Sequence, residues 1–135
     1  MFDAFLVPEK TILASKGDSE PLDLSTAVSS VFLVTLSITE VIEQESIEVS
    51  LFTSVDGTNW AAKAAASFPQ KFYIGQYPLL LDISTAAGAK FLRAHWEVNR
   101  WGRGVTTPRF EVGLRIREVT REALLEAQAE AQSRR

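Results

Sequence analysis

Histidine and cysteine are the side chains from which many catalytic and metal sites are built, and this sequence has one histidine, His95, and no cysteine. A Ser–His–Asp triad would have to use His95, but the chain contains no G-x-S-x-G nucleophile elbow. A His-rich metal site needs more than one histidine, and thiolate ligands are excluded. The sequence therefore predicts a protein that is not an enzyme, with no catalytic residue, no metal site and no cofactor.

His95 has a simpler expected role on the protein surface. It lies on the polar side of a predicted strand, between charged neighbours. Opposite charges on adjacent strands stabilise a sheet when their side chains face each other. We therefore expect His95 to join a cross-strand network with Arg115, Arg117 or Glu111.

The loop of residues 99–108 has the composition of a binding surface. It carries Trp101 between Arg100 and Arg103, together with two glycines. Trp and Arg are enriched among the residues that dominate binding energy. An indole can stack on a sugar ring, and a guanidinium can pair with a carboxylate or a phosphate. Arg100, Trp101 and Arg103 are therefore the candidate binding residues; the alternative is that Trp101 folds back and closes one end of the fold.

Residues 54–60 read S-V-D-G-T-N-W and predict a tight turn between two strands. The Asp56–Gly57 pair favours a hairpin, because Gly57 adopts positive φ at little cost. One carboxylate is far from the six or more oxygen ligands of calcium, so Asp56 is expected to stabilise the turn itself. Trp60 is expected to cover the core. Three acidic residues stand where the predicted strand of residues 31–40 connects to that of residues 46–53, and they are expected to form a solvated loop: Glu40, Glu43 and Glu45.

The elements that position these loops are predicted to be strands. Four segments alternate apolar and polar residues with a period of two: residues 31–40, 46–53, 90–98 and 109–119. Shorter strands are predicted at residues 2–7, which Pro8 should end, and at 11–15, 70–74 and 77–83. No amphipathic helix connects the strands, so they are expected to pair antiparallel. The predicted fold is all-β, an antiparallel β-sandwich of jelly-roll type with a short C-terminal α-helix.

The C-terminal segment differs from the rest of the chain. We divide the sequence into a sandwich domain, residues 1–119, and a helical tail, residues 120–135. Thr120 is a favourable helix cap, and the apolar stripe of the tail consists of Leu124, Leu125 and alanines. An isolated helix this short is marginally stable in water, so it either packs against another surface or frays. The residues predicted to contact neighbouring subunits are Phe2, Phe5, Leu124 and Leu125.

Composition excludes several classes of partner. The net charge is −3, which argues against a general nucleic-acid binder. No stretch approaches the ~18 apolar residues of a membrane-spanning helix. The N-terminus has an acidic residue and only a short apolar run, so no secretory signal is predicted. The expected location is a virion or the cytoplasm.

The sequence resembles the discoidin-type (F5/8 C-like) β-sandwich family over residues 31–119. The resemblance rests on the S-x-D-G-x-x-W string of residues 54–60, on Phe72, and on K-F-L-R-A at residues 90–94 leading to Trp96. It implies a non-catalytic module that binds glycans, lipids or proteins through its end loops. Similar sandwich modules also resemble components of phage virions, in the head decoration, neck and tail, where small cysteine-free β proteins are common.

Two functions follow as expectations. In the first, the chain is a structural subunit of a larger particle such as a phage virion, forms a homo-oligomer, and contacts its neighbours through edge strands and chain ends. In the second, it is a carbohydrate- or ligand-binding module that uses the loop of residues 99–108.

Overall fold

The computed structural model describes residues 2–86, 88–101, 104 and 107–120. These residues form nine strands and no helix: β1 (Asp3–Leu13), β2 (Gly17–Asp18), β3 (Leu22–Asp23), β4 (Val31–Glu40), β5 (Glu45–Ser54), β6 (Ala66–Ser67), β7 (Gly75–Asp82), β8 (Phe91–Arg100) and β9 (Phe110–Glu118). The prediction of an all-β fold is confirmed. The predicted C-terminal helix lies outside the described residues.

The strands form two antiparallel sheets that share one core. The first sheet has the order β1-β9-β4-β7, and the second has the order β2-β8-β5-β6, with β3 also paired to β8. Side chains of both sheets belong to a single buried cluster, for example Phe32 and Leu36 from the first and Leu51 and Leu92 from the second. Because the two sheets bury their apolar side chains against each other, the arrangement is sandwich-like. Each fully buried large apolar side chain stabilises the fold by roughly 2 kcal/mol.

The period of two correctly predicts the inward faces of the long strands. Phe110, Val112, Leu114 and Ile116 of β9 are all at most 1% exposed, whereas the two arginines of the strand, Arg115 and Arg117, are exposed. The predicted segment 31–40 coincides with β4, whose pairing with both β9 and β7 places it inside the first sheet.

Pro8 does not end the first strand, which corrects the sequence prediction. The two predicted strands at residues 2–7 and 11–15 form the single strand β1. Its pairing with β9 shifts register twice between Phe5 and Thr11, and Lys10 has a φ of 62°. An edge strand tolerates a proline at such an irregularity, because the missing N–H leaves no ladder bond broken.

A second correction concerns residues 70–74, which do not form a strand. Lys71 makes one isolated bridge to Ile47, with backbone bonds in both directions at 2.9 Å. The regular strand begins later, at Gly75. Residues 72–74 connect this bridge to the start of β7, beside the end of the two sheets, and they are exposed.

The chain crosses between the sheets at both ends. At one end β4 leads to β5 and β8 leads to β9; we call it the Trp101 end. At the other end lie the 54–60 turn, the β7–β8 connection, and Glu118, the last residue of β9; we call it the Asp56 end. Long antiparallel strands therefore separate two groups of loops.

Candidate functional site

The Trp101 end carries an open cleft of about 800 Å³. The β4–β5 crossing, the segment before β7 and the chain at the end of β8 line this cleft. The lining residues are Val41, Ile42, Glu43, Gln44, Glu45, Phe72, Tyr73, Arg100 and Trp101. Two of the three predicted binding residues, Arg100 and Trp101, therefore lie in one cleft; Arg103 lies outside the described residues.

Four large apolar side chains beside the cleft are exposed, and we call them the end patch: Phe72, Tyr73, Ile74 and Trp101. The Phe72 ring contacts both aromatic neighbours, with centroids 6.2 Å from Tyr73 and 6.2 Å from Trp101. Tyr73 is 75% exposed and Ile74 61% exposed, and even Trp101 is 47% exposed. The Trp101 indole thus contacts the Phe72 ring and also faces solvent.

The backbone of the β4–β5 crossing positions the predicted binding residues. The Trp101 N–H donates to the Gln44 carbonyl at 2.8 Å, and the Arg100 Nε donates to the Glu43 carbonyl at 3.3 Å. Gln44 has a φ of 59°, in the left-handed region. Among the described residues no carboxylate lies within ion-pair distance of Arg100, so its guanidinium is available to an anionic group.

Glu45 is buried, which corrects its prediction as part of a solvated loop. It is 2% exposed. Its carboxylate accepts the Arg109 N–H at 2.6 Å and the Ile42 N–H at 2.9 Å. The strand alternation contained the signal, because Glu45 has the same parity as the inward residues Ile47 and Val49. The glutamate thus links the β4–β5 crossing to the chain that follows the Trp101 loop.

At the opposite end, Asp56 is a turn former. Its carboxylate accepts the backbone N–H groups of Asn59 at 2.8 Å and Thr58 at 2.9 Å. These bonds lower the pKa of Asp56 far below its ordinary value. The Ser54 hydroxyl accepts the Gly57 N–H at 2.9 Å, and Gly57 has a φ of 83°. The residues predicted to make the turn therefore make it with local hydrogen bonds.

Trp60 is partly exposed and does not belong to the core cluster. It forms an isolated antiparallel bridge with Ser54. Its ring lies under the guanidinium of Arg93, whose Cζ is 4.5 Å from the ring centroid. The prediction that Trp60 covers the core is wrong, because the indole packs on the outer face of the second sheet.

The predicted partners of His95 are also wrong. Arg115, Arg117 and Glu111 lie on β9, in the other sheet. His95 Nδ1 instead lies 2.9 Å from the Asp18 carboxylate, and Nε2 lies 3.4 Å from Glu97. The consecutive strands β8 and β9 lie in different sheets and do not pair, so the residues of β9 are not the cross-strand neighbours of His95.

The three residue types of a catalytic triad occur beside one another on this face, and Asp18 contacts His95 as in a triad, but His95 does not contact the serine. Asp18, His95 and Ser50 occupy opposed positions on β2, β8 and β5. However, His95 Nε2 faces Glu97, and the Ser50 hydroxyl accepts a bond from Ser67 at 3.0 Å. A base must reach the proton that it abstracts, and this arrangement does not provide that contact.

Of the predicted subunit contacts, Phe2 packs within its own chain and Phe5 is exposed. The Phe2 ring meets Phe32 edge-on, with centroids 6.1 Å apart. Its N–H donates to the buried carboxylate of Glu118 at 2.7 Å. Phe5 lies on the edge strand β1 and is 43% exposed. Leu124 and Leu125 lie outside the described residues.

Glu118 is a buried residue that the sequence reasoning missed. Besides Phe2, its carboxylate accepts the N–H groups of Ser29 at 2.8 Å and Val28 at 3.1 Å. These backbone donors, with Phe2 the strongest, lower the pKa of Glu118. Glu118 thus fastens the N-terminal strand and the loop before β4 to the end of β9.

Within the described residues, no three His, Cys, Asp or Glu side chains cluster in a way that could hold a metal ion. No helix that is long and apolar enough to cross a membrane occurs in this part of the chain. No protein-family model matches the sequence, and no curated protein matches it either.

Proposed function

We propose that this chain is a non-catalytic assembly subunit, a repeated component of a larger particle such as a phage virion, and that the end patch is a subunit contact. The observation that carries the proposal is the exposure of Phe72, Tyr73, Ile74 and Trp101 side by side at the Trp101 end. Contiguous exposed apolar surface marks interaction sites in folded proteins.

The chemistry of the end patch favours a protein partner. Burying one large apolar side chain contributes roughly 2 kcal/mol, so covering four of them supplies a substantial driving force. Tyr, Trp and Arg dominate the energy of protein interfaces, and Arg100 adjoins the patch. A second contact is proposed on β1, where Phe5 and Ile12 are each 43% exposed on an edge strand.

The native mass of the protein, extracted from the cells or particles that make it, tests this function. We expect a complex much larger than one chain, and we expect Trp101→Ala combined with Tyr73→Ser to reduce it to smaller species. Leu80→Ser is the matched control, because Leu80 is 48% exposed but lies on β7, away from the patch. A single-chain mass for the unmodified protein at its source would refute the proposal.

The second candidate is a carbohydrate-binding module of discoidin-like type, located in the virion or cytoplasm. Its supporting observation is Arg100, which lines the cleft beside Trp101 and has no ion-pair partner among the described residues. An indole face and a guanidinium that makes no ion pair among the described residues suit a sugar ring that carries a carboxylate. The resemblance at residues 54–60 and 90–94 supports the same reading.

Binding to a glycan array separates this candidate from the first. We expect selective binding to acidic glycans that Trp101→Ala abolishes and Leu80→Ser retains. Equal signals from the unmodified chain and from Trp101→Ala would rule out the cleft as a glycan site.

A further inference from the structure

We propose that the end patch of one copy binds the C-terminal segment of a second copy, residues 121–135, through Leu124 and Leu125, so that copies join head to tail. This inference rests on the proposed assembly function and names the partner at the same site. It follows from where the chain leaves the two sheets, from how far it can reach, and from the charges that flank both surfaces.

The chain leaves the sheets at the end opposite the patch. The Val119 N–H donates to the Val31 carbonyl at 2.9 Å, at the beginning of β4. The patch lies beyond the other end of β4, where Glu40 leads into the β4–β5 crossing. Ten strand residues separate the two ends, a distance of roughly 30 Å at ~3.3 Å per residue.

The two leucines cannot reach the patch of their own chain. Leu125 follows Thr120 by five residues, and five residues span at most ~18 Å even when fully extended. This limit holds for any conformation of the segment. A contact between these leucines and the end patch therefore requires a second copy.

The charges beside the leucines complement those beside the patch. The segment around Leu124 and Leu125 carries both signs of charge, with Arg121 and Glu122 before the leucines and Glu126 after them. Arg100 lines the cleft beside Trp101 and has no ion-pair partner among the described residues. The exposed Glu43 lines the same cleft, so this surface also carries both signs. Glu122 or Glu126 can pair with Arg100, and Arg121 with Glu43, and two such pairs set the orientation of the segment.

A contact between two different surfaces has a definite consequence for symmetry. Each copy offers one patch and one C-terminal segment, so each copy can bind two neighbours. Such a contact forms a ring where the rotation closes and an open chain where it does not. We therefore expect species larger than a dimer at high concentration.

The purified full-length chain tests the inference by sedimentation velocity over a wide concentration range. We expect the unmodified chain to associate reversibly. Trp101→Ala, and separately Leu124→Glu with Leu125→Glu, should each weaken association at least about thirtyfold, as expected for loss of a residue worth ~2 kcal/mol. Leu80→Ser should associate like the unmodified chain.

Mixing the two defective proteins gives the decisive result. The Trp101→Ala chain keeps its C-terminal segment, and the Leu124→Glu/Leu125→Glu chain keeps its patch. Head-to-tail binding therefore predicts that the mixture forms a one-to-one heterodimer and nothing larger. Thermal unfolding of each variant on its own establishes that both chains remain folded.

Three results would overturn the inference. The first is a mixture that contains only monomers although the unmodified chain associates. The second is a leucine variant that still associates with itself. The third is a purified unmodified chain that stays monomeric at every concentration. In the last case a large native complex that depends on Trp101 would leave the proposed assembly function intact, with another protein as the partner. A single-chain mass at the source would refute both.

Discussion

The carboxylate of Glu45 accepts the backbone N–H of Arg109 at 2.6 Å, across 64 residues of sequence. The same carboxylate accepts the N–H of Ile42. One buried side chain thereby joins the crossing from β4 to β5 with the start of β9, and the loop that contains Trp101 lies between them. The shape of the cleft therefore depends on a buried carboxylate that accepts hydrogen bonds from two backbone N–H groups.

Replacing Glu45 should loosen this end of the protein. In Glu45→Gln one carboxylate oxygen becomes an NH2 group that faces a backbone donor, which leaves a buried N–H without an acceptor. We expect a loss of about 1–3 kcal/mol in the free energy of unfolding, measured by urea denaturation. Glu48→Gln, on the exposed side of the same strand, should change stability by less than ~0.5 kcal/mol; equal effects would contradict the role of Glu45.

Glu118 predicts how stability depends on pH. Its pKa in the folded protein lies below the ordinary value of 4.5, because its carboxylate accepts the N–H groups of Phe2, Ser29 and Val28. A lowered folded-state pKa adds stability that is fully present above the unfolded-state pKa and is lost as pH falls through the folded-state pKa. The protein should therefore lose stability as the solution is acidified below about pH 4.5.

The test compares urea midpoints at about pH 6 and about pH 3 for the unmodified chain and Glu118→Gln. The variant should be less stable at the higher pH and should lose less on acidification. Asp3 and Asp56 also have lowered pKa values and contribute to the acid loss of both proteins. An identical loss in the two proteins would show that Glu118 does not contribute.

Strand positions were predictable because the period of two is a local signal. It located β4 and the inward face of β9, and its parity would have placed Glu45 in the core. Pairing between strands is not local. The expected partners of His95 lie on β9, the next strand in sequence, whereas the structure places β8 beside β2 and β5.

The candidate site was predictable only in part for the same reason. Arg100 and Trp101 were identified from residue types within one loop. Their neighbours Phe72 and Tyr73 are separated from them by about a fifth of the chain, and no periodic pattern marks residues 70–74. The cleft exists because the two crossings and this irregular segment meet at one end, which is a consequence of topology.

The turn at residues 54–60 should be sensitive to the backbone conformation of Gly57. Its φ of 83° lies in a region that costs a residue with a side chain roughly 1–2 kcal/mol. An added Cβ would lie 3.5 Å from the Phe91 ring, which is an ordinary contact, so the cost is in the torsion angle. Gly57→Ala should lower the free energy of unfolding by that amount, and Gly57→Asn by less, because Asn tolerates positive φ. The reverse order in a denaturation experiment would contradict this account.

Truncating a side chain should lower the stability of the monomer much more in the core than in the end patch. Phe68, 4% exposed, belongs to the core cluster, so Phe68→Ala should cost roughly 3 kcal/mol or more through the cavity it leaves. Tyr73, 75% exposed, contributes little apolar burial to the fold, so Tyr73→Ser should change the free energy of unfolding of the monomer by no more than ~0.5 kcal/mol. Urea denaturation at low protein concentration measures both. A large loss for Tyr73→Ser would mean that the patch stabilises the single chain, and its exposure would then no longer indicate a contact with a partner.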